Sequence, residues 1–157
     1  MDYRILGLPF FTVLGRLASG TSLEAPQWVP RLWGETFQAR HELSSISLGE
    51  CWGLMGTPGS PLSRWNEQGT YWAGWEVERG TAPPAGWEAW EVPASAWIRV
   101  AVTAQEIAEG HEFLGQWLRR QEQWMAVGAS HEHYPASFRD PESDRLHLCQ
   151  PLAPRPA

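Results

Sequence analysis

Lysine is absent from this 157-residue chain, and cysteine occurs only twice. All twelve basic residues are arginine, scattered among eighteen acids for a formal net charge of −6, and the lack of lysine carries no functional reading. Phosphate contact needs concentrated positive charge, so direct nucleic-acid binding is not expected. Cys51 and Cys149 have neither CxxC nor framework spacing, and read as reduced, buried thiols of a cytoplasmic protein. No apolar run reaches transmembrane length, so no membrane association is expected. The apolar start MDYRILGLPFFTVLG is interrupted by Asp2 and Arg4 and reads as a strand, not a signal peptide. There is no GxSxG, no phosphate loop and no HExxH. His131 and His133 fall on one face of a strand, but no third ligand follows nearby, so neither a metal nor a cofactor is expected.

What the chain has in excess is tryptophan, at eleven residues. An indole buries a large area and its N–H seeks a partner. Eleven exceed what a core of this size calls for, so some are expected to line a cavity for a flat or bulky apolar ligand. An exposed Trp-rich patch could also serve a protein partner or a homodimer.

The length fits one domain over 1–157, and the element pattern divides it into two similar halves, about 3–80 and 86–152, with a flexible tail at 153–157. In the first half, 3–16 reads as a strand and Gln27–Leu43 as a helix, with Pro30 tolerable only in its first turn. Cys51–Met55 and Thr70–Glu78 read as strands, separated by the turn signal Pro58-Gly59-Ser60-Pro61. Pro83-Pro84-Ala85-Gly86 is the connection. The second half opens with Trp87–Val92 and the strand Ala96–Val102. Thr103 with Glu106 then forms a capping box, and the helix runs to about Met125. Strands His131–Ser137 and Arg145–Gln150 close the half. The expected fold is α+β: duplicated β-α-β-β halves forming an antiparallel sheet, two helices on one face and a ligand groove on the other.

The candidate site centres on Glu132, a carboxylate in an aromatic-rich strand where an acid is costly unless used. Strand alternation places Glu132 with Tyr134, and Tyr71 with Trp75. Leu146 and Leu148 should face the helices, putting His147 on the open face, where pairing could bring it near Glu132. Trp52, Trp90 and Trp97 are further groove candidates.

Several segments resemble the GyrI-like family, the bacterial transcription-activator effector-binding domain. Val29-Pro30-Arg31-Leu32-Trp33 resembles the start of its first helix, and Tyr71-Trp72-Ala73-Gly74-Trp75-Glu76-Val77 its third strand. Gly86-Trp87-Glu88 and Glu91-Val92-Pro93-Ala94 resemble the opening of its second half, with Ser95 standing where the family commonly has Gly. Trp117-Leu118 resembles a pair late in its second helix. Glu132-His133-Tyr134-Pro135 and Asp140-Pro141 resemble its E-x-Y and D-P elements. The resemblance spans roughly residues 3–152. It implies the doubled fold and a ligand cleft between the halves, with Glu132 as the acid facing aromatic cations. Without a DNA-binding segment before residue 1, the chain is expected to act alone, in sensing or sequestration. A second reading is a cofactor-independent hydrolase of cyclopropane-bearing electrophiles, with Glu132 as general base on water or as proton shuttle and Tyr134 or His147 assisting. A gyrase-inhibiting or other protein-interacting role ranks third.

Overall fold

The computed structural model describes residues 1–56 and 65–157. The turn expected at Pro58–Pro61 lies outside them. The first expected strand is two, β1 (Tyr3–Leu8) and β2 (Phe11–Thr21). The break falls at Pro9-Phe10, where proline offers no ladder donor. Helix α1 spans Ala25–Gln38, with Pro26 in its first turn, followed by a 3-10 turn at Arg40–Leu43. Because α1 starts two residues earlier than expected, Pro30 lies past its first turn and removes one interior hydrogen bond. Strands β3 (Ser47–Gly56), β4 (Gln68–Val77), β5 (Glu88–Val92) and β6 (Ser95–Val102) follow.

The Thr103 capping box forms, the Thr103 N–H donating to Glu106 Oε2 at 2.8 Å. It leads through a 3-10 turn into α2 (Ile107–Arg120), which closes with Arg119 and Arg120 at its negative end. The helix does not reach Met125. Gln121 is extended, and β7 (Trp124–Ala126) instead pairs with β9 (Leu146–Pro154). Strand β9 runs four residues beyond the expected Gln150, so Ala153 and Pro154 of the expected flexible tail are sheet. Strand β8 is His131–Tyr134. No helix among the described residues is long and apolar enough to cross a membrane.

All strands join one antiparallel sheet in the order β1-β6-β9-β8-β3-β4-β2-β5, with β7 on β9. The duplication is visible in this order: β3-β4-β2 belongs to the first half and β6-β9-β8 to the second. The halves also exchange a strand. The one preceding β2, β1, pairs with β6, while the one preceding β6, β5, pairs with β2. The halves meet at β3 and β8, through Cys51↔Tyr134, Trp52↔His133 and Gly53↔Glu132. Ser95, at the position where glycine was expected, begins β6 opposite Leu8 and donates its hydroxyl to the Leu152 carbonyl.

Both helices cover the same face. Leu32, Trp28 and Trp33 of α1 meet Tyr71 and Ala73, and Leu114 of α2 meets Ile98, Val100, Val102, Leu146 and Leu148. The other face is not the open groove expected there. Trp52, Trp72 and Trp97 fill it at 3%, 4% and 1% exposure, together with Val13, Leu54, Val92 and Cys149. A long twisted sheet curls, and its uncovered face then closes on its own side chains. Bulky indoles are what such a curl accommodates.

Candidate functional site

Glu132 stands on β8 between Gly53 of β3 and Leu148 of β9. Alternation therefore aims it at the helix side, with Leu148. Its carboxylate accepts from the Tyr134 hydroxyl at 2.7 Å and the Tyr71 hydroxyl at 3.2 Å. The Tyr71 oxygen in turn accepts from Trp33 Nε1 at 3.0 Å, tying the cluster to α1. Gly53 makes this possible: a Cβ there would overlap the Tyr71 hydroxyl, so only glycine lets the phenol cross to Glu132.

No arginine or histidine among the described residues lies within ion-pair distance of Glu132. Burial raises its carboxyl above the ordinary range, and the two phenol donors pull only partly the other way. Burial and the neighbouring carboxylate push both tyrosines up. Cys51, opposite Tyr134, is pushed up to about 12, mainly by burial, which makes it an inert apolar wall.

Beside this cluster, between the helices, lies a cleft of about 810 Å³. Trp33 and Phe37 of α1, Ile107 of α2, Cys51, Trp75 and Tyr134 line it. Trp33 meets Tyr134 and Tyr71 edge to face, with centroids 5.6 and 6.0 Å apart, and Phe37 meets Trp75 at 5.6 Å. Arg40 and Arg139 stand at the rim, exposed and screened by water. Glu132 does not itself line the cleft; Tyr134 does, and carries the hydrogen bond from cleft wall to carboxylate.

Of the residues expected at the site, Glu132, Tyr134, Tyr71 and Trp75 come together on the helix side. Trp52, Trp90, Trp97 and His147 do not. Trp90 stacks on Trp72 at 3.9 Å, Trp97 packs on Trp52 at 6.1 Å, and all three candidate indoles belong to the opposite face. His147 pairs with His133, one residue out of step with Glu132, so it points away from that carboxylate. Sequence reasoning passed over Trp33, Phe37, Cys51 and Ile107 as site residues. The first two were legible as an aromatic pair four apart on one helix face, but a helix stripe reads equally as core.

No sequence-family model and no curated protein matches the chain. Solved structures do. The structure of SAV2435 bound to tetraphenylphosphonium aligns at TM-score 0.74 and 13% identity, over 98% of this chain and 94% of that one. A protein from Staphylococcus aureus MU50 described as a bacterial transcription regulation protein aligns at 0.70 and 16%, over 97% and 98%. The EcmrR C-terminal domain aligns at 0.65 and 11%, over 97% of each chain. At such identities the likeness is one of fold, and it is consistent with the GyrI-like fold implied by the sequence motifs.

Proposed function

We propose that the chain binds a hydrophobic aromatic cation in the cleft between α1 and α2, in a sensing or sequestering role. The observation that carries this reading is Glu132: a largely buried carboxylate with no counter-ion among the described residues, held by two phenols behind an aromatic wall. A delocalised cation loses little hydration on entering such a slot. Ring faces at Trp33, Phe37 and Trp75, together with the carboxylate, replace what it loses. Tyr134 is the movable part. Turning its ring aside brings the carboxylate into direct contact with the ligand. The tetraphenylphosphonium bound to SAV2435, a protein of this fold, supports the ligand class.

The test is a titration of tetraphenylphosphonium followed by tryptophan fluorescence, with the mass of the ligand monitored over hours. Saturable quenching with unchanged mass is expected, and Trp33→Ala should weaken binding at least about tenfold through lost stacking. Affinity unchanged in Trp33→Ala contradicts the placement in this cleft. With an electrophilic aromatic ligand in place of the phosphonium, a gain of one water would show hydrolysis instead of binding.

A further inference from the structure

On the face of the sheet away from the cleft, four basic side chains gather around a second hollow of about 550 Å³. Arg4 of β1, Arg99 of β6, Arg145 just before β9 and His147 within it all line it. Arg4 and Arg99 are direct cross-strand partners, an arrangement that costs stability because like charges face each other. Arg145 is held by Asp2 at 2.6 Å, and among the described residues neither Arg4 nor Arg99 makes an ion pair. This island of positive charge lies in a chain of formal net charge −6.

A side-chain relay ends at the same hollow. Glu50 accepts from His133 Nε2 at 2.7 Å, and His133 Nδ1 meets His147 Nδ1 at 3.0 Å. With Nε2 of His133 donating to Glu50, its Nδ1 accepts from Nδ1–H of His147. The free Nε2 of His147 therefore carries a lone pair. A site with guanidinium forks and one proton acceptor fits an oxyanion able to share a proton.

We propose that this hollow binds a phosphate-type oxyanion, its oxygens held by Arg4, Arg99 and Arg145 and its proton shared with His147. The chain's overall acidity disfavours an extended polyanion here and leaves room for a compact one. His147 is depressed to about 4 by burial, then by Arg99 and His133. An anion seated among the arginines offsets the effect of Arg99, so binding draws a proton onto His147. The groups facing that imidazole are Asp2 just before β1, Arg4 from β1, Arg99 from β6, His133 from β8 with Glu50 of β3 behind it, and Arg145 beside it.

The test uses the full chain with inorganic phosphate, followed by calorimetry and by imidazole NMR of His147 across pH. Saturable binding is expected, with the His147 titration moved upward by phosphate and affinity rising as pH falls. Arg4→Gln and Arg99→Gln should each weaken phosphate at least about tenfold while circular dichroism stays unchanged. Arg4 is exposed on an edge strand, so its variant keeps the experiment readable if Arg99→Gln fails to fold. Equal, weak responses in wild type and Arg4→Gln would mean an adventitious ion only and would overturn the proposal. Tighter binding of acetate or of duplex DNA than of phosphate would overturn it as well.

Discussion

The two faces of the sheet use the same residue types for opposite purposes. On the helix side, aromatic rings surround an open cleft and converge on one carboxylate. On the other side, indoles close on each other across the middle of the sheet. The difference lies in what covers each face. Two helices stand off a curled sheet and leave space between them, whereas the middle of the uncovered face is filled by its own side chains. Tryptophan thus fills core on one side and lines an open cleft on the other, which composition alone does not distinguish.

The sharpest way to break this contrast is to truncate one indole on each face. Trp97, at 1% exposure and packed against Trp52 and Phe11, should cost about 3–5 kcal/mol as Trp97→Ala in urea unfolding, with no cavity able to collapse fully. Trp33→Ala, on the wall of an existing hollow, should cost less stability and more ligand affinity. Equal stability losses would erase the distinction between plug and cleft.

Gly53 probes the helix side alone. Gly53→Ala forces the Tyr71 hydroxyl off Glu132 and should cost about 1–3 kcal/mol. Removing the clashing hydroxyl in the double variant with Tyr71→Phe should recover part of that loss. An additive double variant would mean that the phenol and the glycine are not in contact.

Acid titration also separates the faces. Glu132 is raised when folded, so the native state binds more protons than the unfolded chain between the ordinary carboxyl value and the raised one. Its contribution to stability therefore falls as pH rises through that window, and Glu132→Gln should remove this slope. His131, buried on the other face and depressed to about 3, behaves oppositely. The unfolded chain takes up its proton near the ordinary value of 6.5 and the native state does not, so stability falls as pH drops from there towards 3. His131→Gln should flatten that acid limb. Denaturant midpoints measured from pH 3 to 8 distinguish the two slopes.

Much of this was legible in the chain. Alternation correctly grouped Glu132 with Tyr134 and Tyr71 with Trp75, and the Thr103–Glu106 spacing marked the start of α2. The duplicated halves and their common helix face also followed from the pattern. What the pattern could not carry was non-local. It does not say which strands of the two halves adjoin, so Glu132↔Leu148 and His133↔His147 could not be told from a register placing His147 beside Glu132. Nor does it show that the sheet curls, which turned the expected groove into core and moved the open space beneath the helices. Trp124 and Met125 fit a helical stripe, but pairing with β9 claimed them as strand.

The central claim is that Glu132 selects positive charge in the cleft. Affinities of tetraphenylphosphonium and of the neutral triphenylphosphine oxide, measured by calorimetry in wild type and Glu132→Gln, test it directly. The account predicts that the substitution weakens the cation at least about tenfold and leaves the neutral ligand within about a factor of two. A substitution that weakens both equally, or neither, would contradict it.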